Sequence, residues 1–237
     1  MPNNPRGFVT GEIYHIFNRG YDKRKIFLDS TDRRRFMDSL CYLNSKDSVI
    51  LRLVRGQTSY RREKLVDILA FCLMSNHYHL ILRELKAGGV SAFMRKLSNS
   101  YTGYFNKRYE RKALGGLFQS RFKAVHIETD SQLDIVFCYL HTNPIEIKDP
   151  GWKEFKVKDY HGALAWLRSY KWSSLNDYIG KKPIYPEILN VGFYRNFYKD
   201  EQGCTAAIRN WVRYKADQVL PEVPVLGLTL NSLTTAR

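Results

Sequence analysis

The 237-residue chain carries 38 Lys and Arg against 23 Asp and Glu, a formal net charge of +15 that points to a polyanionic partner: nucleic acid or an acidic membrane surface. Hydrophobic residues at 44% and charged residues at 26% belong to a soluble globular protein. No apolar run approaches the roughly 20 residues of a membrane helix, so nucleic acid is favoured and a membrane partner is set aside.

Met1–Gly7 has no apolar core behind a basic start and does not read as a signal peptide. Gly11–Gly20 alternates well enough for a first strand that ends at Asn18-Arg19-Gly20. A basic loop follows to Ile26. Asp29 to Asp32 supplies helix-capping residues, and Phe36, Leu40 and Leu43 recur at helical spacing, which predicts a helix over about 31–45. Ser48–Val54 reads as a short strand and Arg55–Lys64 as a polar, basic loop.

Ile68–Arg83 is two apolar runs broken by Ser75-Asn76, the pattern of two buried strands. The second run carries His77 and His79. Alternate side chains of a strand share a face, so these imidazoles stand side by side with Tyr78 behind them, and two ring nitrogens can serve one metal ion. By itself such a pair recurs by accident.

Lys86–Gly89 breaks the pattern. A helix is predicted over 90–109, with Phe93, Leu97, Tyr101, Tyr104 and Phe105 as its apolar stripe. Its other face carries Arg95, Lys96, Asn99, Lys107 and Arg108, and its tyrosines read as packing or stacking residues. Leu117–Ile127 is expected to be a strand, with Arg121 and Lys123 on one face. Thr129-Asp130-Ser131 caps a helix over about 131–142 that Pro144 ends, with Leu133, Val136, Phe137 and Leu140 inward.

Beyond Pro150 lie all four tryptophans and several short helical patterns, read as a helical extension over 151–218. Pro221–Arg237 reads as a tail. The four cysteines, Cys41, Cys72, Cys138 and Cys204, form no Cys-x-x-Cys pair, which sets aside a structural zinc site and fits a reduced, cytoplasmic protein. The element order gives an α+β fold: one antiparallel sheet with helices on it.

On the helix before Pro144, Tyr139 and Asn143 share a face at i and i+4, with His141 on the other side. Tyr139 is a nucleophile candidate and Asn143 a third, oxygen ligand beside His77 and His79. Such a set leaves positions open on a divalent ion for substrate oxygens. A phenolate attacking phosphorus would store the phosphodiester bond as phosphotyrosine.

Four stretches carry a resemblance: Tyr14-His15-Ile16-Phe17-Asn18-Arg19-Gly20, Met74-Ser75-Asn76-His77-Tyr78-His79-Leu80, Leu117–Lys123, and Tyr139-Leu140-His141-Thr142-Asn143-Pro144. Together they resemble the single-tyrosine HUH transposases (IS200-like), and most closely the REP-associated tyrosine transposases, over about residues 11–180. The resemblance implies a ferredoxin-like HUH endonuclease core, which places the catalytic domain over 1–150; the helical C-terminal extension with its tail over 151–237 is read from the residues themselves. The resemblance also implies an enzyme that cuts and rejoins single-stranded DNA, often beside a hairpin, with Mg²⁺ or Mn²⁺, leaving a 5′-phosphotyrosine and a 3′-OH; the expected location is the cytoplasm, with the nucleoid. The resemblance assigns Tyr139 as nucleophile and His77, His79 and Asn143 as metal ligands, although many relatives carry Gln at the Asn143 position.

Asn18, Arg19, Arg95, Lys96, Asn99, Arg121 and Lys123 are the expected nucleic-acid contacts, made by a monomer or homodimer. A non-catalytic basic binding module and a metal-dependent nuclease that uses water stay open beside the transposase reading.

Overall fold

The computed structural model describes residues 7–47, 53, 63–111, 116–154, 159–180 and 186–216. The expected tail, nearly all of the expected 48–54 strand and most of the basic loop after it lie outside the described residues.

Four strands, β1 (Ile13–Arg19), β2 (Val66–Leu73), β3 (His77–Glu84) and β4 (Lys123–Ile127), form one sheet in the order β2-β3-β1-β4. Each neighbouring pair is antiparallel. Helix α1 (Ser30–Tyr42) follows β1 and α2 (Gly89–Arg108) follows β3. This is the ferredoxin-like order of an α+β fold. The turn at Ser75-Asn76 closes with Met74 N–H donating to the His77 carbonyl at 2.9 Å, so the polar break between the two apolar runs becomes the β2–β3 hairpin.

Strand alternation sorts the sheet into two faces. On one, Tyr14, Ile16, Tyr78, Leu80 and Leu82 pack with Phe36 and Leu40 of α1 and Phe93, Leu97 and Tyr101 of α2. On the other, Ala70, Cys72 and Ile81 pack with Leu133, Val136, Phe137 and Leu140 of α3 (Asp130–Thr142). That second core continues into the C-terminal helices. After the short α4 (Ile145–Lys148) come α5 (Tyr160–Ser169), α6 (Leu175–Tyr178), α7 (Val191–Tyr198) and α8 (Glu201–Ala216). Their Leu167, Tyr178, Tyr194, Ile208 and Val212 join the same cluster.

The helix starts follow from local chemistry. The Asp29 carboxylate accepts from the Thr31 and Asp32 amides at 2.8 and 3.0 Å and caps α1. Thr129 does the same for α3 by accepting from Gln132 N–H. Gly88 before α2 has no side chain to cap with. The fully buried Glu84 at the end of β3 takes over, accepting from the Gly88 and Val90 amides at 2.8 and 3.1 Å. An anion at a helix N-terminus is favourable. The next residue, Gly89, lies so close to β2 that a Cβ there would run into the Leu65 carbonyl oxygen.

The strand expected over 117–127 is shorter, running only from Lys123 to Ile127. The physical reason is Asn18. Its side-chain amide donates to the Ser120 and Arg121 carbonyls at 3.0 and 2.8 Å, and those groups are thereby withdrawn from a ladder. Leu117–Phe122 instead crosses the end of β1, with Gln119 N–H donating to Arg19 O and Tyr21 N–H to Leu117 O, both at 2.9 Å.

The exposed edge of β2 is covered rather than left open. Leu73 N–H donates to Trp172 O and Ser174 N–H to Phe71 O, at 2.8 and 3.0 Å, while Asn190 N–H reaches Ile68 O at 3.0 Å. The C-terminal segment thus completes the sheet.

Asn44, just past α1, is buried and fixes the start of β2. Its amide donates to Val66 O at 2.8 Å, and its oxygen accepts from Leu65 and Val66 N–H at 3.0 and 3.1 Å. Asn44→Ala should leave these backbone groups unsatisfied and cost about 2–4 kcal/mol. A lower urea midpoint at unchanged m-value checks this.

Candidate active site

The two central strands bring the site together. In their antiparallel register Phe17 lies opposite His79, and Arg19 opposite His77. Opposed residues share a face, so His15, Phe17 and Arg19 of β1 stand beside His77 and His79 of β3, all on the side covered by α3. On the other flank of β1, Lys123 lies opposite Phe17, its ammonium 5.8 Å from that ring centroid.

The His77 and His79 rings are 5.0 Å apart and nearly perpendicular. Their hydrogen bonds define which nitrogen is protonated. Asn76 donates through Nδ2 to the Lys23 carbonyl at 3.2 Å, which turns its oxygen toward His77 Nδ1 at 2.7 Å. An amide oxygen only accepts, so His77 carries its proton on Nδ1 and the lone pair on Nε2. His79 is buried, with Nδ1 3.0 Å from His15 Nε2.

From α3, Tyr139 and Asn143 reach the same place. The Tyr139 ring lies 5.5 Å from the His79 ring, edge-on. Asn143 Nδ2 approaches His79 Nε2 at 3.5 Å. Asn143 is 1% exposed, and its Oδ1 is a buried oxygen without a hydrogen-bond partner. Burial pushes the Tyr139 phenol up to about 12, while the Asn143 side chain, hydrogen-bonding its oxygen, pulls the other way. At neutral pH the phenol therefore keeps its proton until something removes it.

The donors present fit a divalent cation. Among the described residues no three His, Cys, Asp or Glu side chains cluster in metal-binding range, so a third donor beside the two imidazoles would come from another kind of group. The unpartnered Asn143 oxygen is such a donor. Two imidazole nitrogens and an amide oxygen suit a borderline-to-hard ion with open positions.

The seven expected nucleic-acid residues divide. Arg19 and Lys123 lie on the histidine face, and the exposed Arg121 lies in the segment just before β4. Asn18 is 3% exposed and its amide is committed to two carbonyls, so it positions that segment. Arg95, Lys96 and Asn99 are on α2, across the sheet from Tyr139. Lys96 donates to the carbonyls of Ser45, Lys46 and Asp47 at 2.6–3.2 Å and closes the turn after α1. Sequence reasoning missed His15 and Phe17. The signal for both was present, since His15, Phe17 and Arg19 alternate along β1. It also missed the exposed Tyr21, with the Arg24 guanidinium 5.5 Å from its ring centroid, in the loop that follows.

His141 faces away, as its helical position requires. It is fully buried between Phe137 O at 3.0 Å and the Ser174 hydroxyl at 2.8 Å, and that hydroxyl also accepts from Phe71 N–H at 3.0 Å. This chain ties α3 to β2 and to the segment covering its edge.

A family model described as IS200-like transposase matches residues 9–143. Among solved structures, one described as a REP-associated tyrosine transposase bound to a REP hairpin is similar, with a TM-score of 0.48 and 16% identity over 78% of this chain and 90% of that one. No curated protein matches the sequence.

Desolvation lowers the His141 pKa from 6.5 to about 3. Between those values the unfolded chain binds a proton that the folded chain refuses, so this group's contribution to stability falls as pH falls. Relative to His141→Phe, the wild type should lose stability from pH 6.5 downward, by at most about 1.4 kcal/mol per pH unit. Denaturant melts of both proteins across that range check the sign.

Proposed function

Because the chain belongs to the IS200-like transposase family, its model matching residues 9–143, we propose that it is a DNA strand transferase that cuts and rejoins single-stranded DNA, next to a hairpin, through Tyr139. The observation that carries this reading is the meeting of Tyr139 and Asn143 with the histidine pair: a phenol ring 5.5 Å from His79 and an unpartnered amide oxygen on the same helix face.

His77, His79 and Asn143 would hold Mg²⁺ or Mn²⁺, which would supply positive charge to polarise the scissile phosphate. Tyr139 Oη attacks the phosphorus. The Oη–P bond forms as the P–O3′ bond breaks, and the electron pair leaves on the 3′ oxygen. The phenol proton is lost, the 3′ oxygen gains one, and the products are a 5′-phosphotyrosine and a 3′-OH. Attack by a 3′-OH on that phosphotyrosine reverses the sequence and rejoins DNA. Desolvation of Tyr139 raises the phenol further above neutral pH, so its proton has to be taken up as the attack proceeds.

Arg19, Arg121 and Lys123 hold the backbone of the strand beside the histidines, and the Tyr21–Arg24 pair offers a face for an unpaired base. Arg95 and Asn99, on the opposite side of the sheet, are remote from that strand.

Tyr139→Phe should fold and bind hairpin-flanked single-stranded DNA as the wild type does. Its cleavage should fall below about a thousandth of wild type, with loss of the denaturation-stable protein–DNA adduct. Mass-spectrometric mapping of the DNA-linked peptide decides the nucleophile. Cleavage without any adduct would establish a water nuclease, and binding without cleavage a non-catalytic module. Ala at Arg121 or Lys123 should weaken DNA binding and reduce the log–log salt slope by about 0.7 each. Ala at Arg95 or Asn99 should leave both unchanged. Fluorescence anisotropy across a salt series separates the two groups.

A further inference from the structure

We infer that His15 is the positioning residue of the metal site: its Nε2 accepts the Nδ1–H of His79 and so holds His79 in the tautomer whose Nε2 lone pair faces Asn143. This rests on the reading of His79 as a metal ligand.

Three observations carry it. The His15–His79 contact is a buried 3.0 Å hydrogen bond between two imidazoles, in which one nitrogen must donate and the other accept. At the other end of the His79 ring, the Asn143 amide nitrogen, a donor, lies 3.5 Å from Nε2, an arrangement compatible with a lone pair there and a proton on Nδ1. The neighbouring histidine follows the same rule, since His77 donates from Nδ1 to the Asn76 oxygen at 2.7 Å and keeps its lone pair on Nε2. Both members of the pair therefore present the same nitrogen, each oriented through its other nitrogen by a residue behind it. Outer partners of this kind fix tautomer and ring orientation in metal sites. Such a partner is ordinarily a carboxylate or a carbonyl; here it is a neutral ring.

The placement of His15 is built into the sheet. Its ring centroid lies 4.9 Å from that of Phe17 and 5.1 Å from that of His79, with the His15 and His79 rings nearly coplanar and meeting edge to edge through the hydrogen bond, and it is fully buried. Phe17 also lies 5.8 Å from His79, so the three rings form one packed cluster that keeps His15 beside His79. The arrangement leaves His15 Nδ1 buried without a hydrogen-bond partner. A packing role alone does not call for an imidazole at this position, because an apolar ring would fill it without the unsatisfied nitrogen.

The test uses Mn²⁺ alone, without DNA. Long-range ¹H–¹⁵N spectra of the metal-free wild type should show His79 protonated on Nδ1. His15→Phe, which keeps an aromatic ring and removes the acceptor, should weaken Mn²⁺ binding by about 10- to 100-fold, followed by loss of the free-Mn²⁺ electron paramagnetic resonance signal. His15→Gln, whose amide oxygen reaches the same point as Nε2, should bind within about 3-fold of wild type. A wild-type His79 protonated on Nε2 overturns the inference whether or not either variant folds. So does a folded His15→Phe protein with unchanged Mn²⁺ affinity. A wild type with the expected tautomer but no Mn²⁺ binding brings down the underlying metal reading instead, and His15 with it.

Discussion

The register between β1 and β3 is the constraint on which the rest of the site depends. A shift of one residue would move every side chain of one strand to the opposite face, and the histidines would then lie under α1 and α2 in an apolar core. The observed register sets Phe17 against His79 and Arg19 against His77, and three features hold it. The Ser75-Asn76 turn ties β3 to β2. The Gly20 amide donates to Asn76 O at 2.8 Å, and those of Ile26 and Phe27 donate to Ser75 O at 2.9 and 3.0 Å, so the chain leaving β1 is pinned to the same turn. The apolar alternation of both strands matches a core on the far face.

The second face of the sheet is both a core and a chemical surface. Toward β2 it is apolar, and the C-terminal helices complete it. Toward the β1–β3 end it carries imidazoles, a phenol and an amide. Helix α3 crosses both regions: Phe137 and Leu140 face the core, whereas Tyr139 and Asn143 face the histidines. The position of the phenol is therefore set by the same packing that stabilises α3. That packing includes the Tyr178 hydroxyl donating to the Leu69 carbonyl and the Tyr170 hydroxyl donating to the Leu73 carbonyl at 2.6 Å. The helical extension thus bears on the site through packing, because it buries the inward face of the helix that carries Tyr139 and Asn143.

Charge is divided along the same lines. The basic residues of α1 and α2 are largely consumed by the fold. Arg108 pairs with Asp29 and with the fully buried Asp32 at 2.6 and 2.7 Å, and Arg35 donates to the Ser39 and Ser100 hydroxyls at 2.6 and 3.0 Å. A net charge of +15 consequently says less about where a polyanion lies than about its sign.

Much was legible in the sequence because it depends on local period and spacing. The alternation around His77 and His79, the four-residue step from Tyr139 to Asn143, the caps at Asp29 and Thr129 and the stop at Pro144 each act within a few residues, so the strands, the helices and the paired faces could be read directly. Other features could not. Glu84 caps a helix from the end of a strand, and Asn18 cuts β4 short by binding carbonyls 102 and 103 residues away. His15 meets His79 across 64 residues of chain. Arg95 and Lys96 read like any other basic residues until the sheet puts them behind the site. These depend on which segments the chain brings together in three dimensions. Pairing across the sheet and the choice of face for each helix are set by burial summed over the whole chain, a quantity that no local spacing contains.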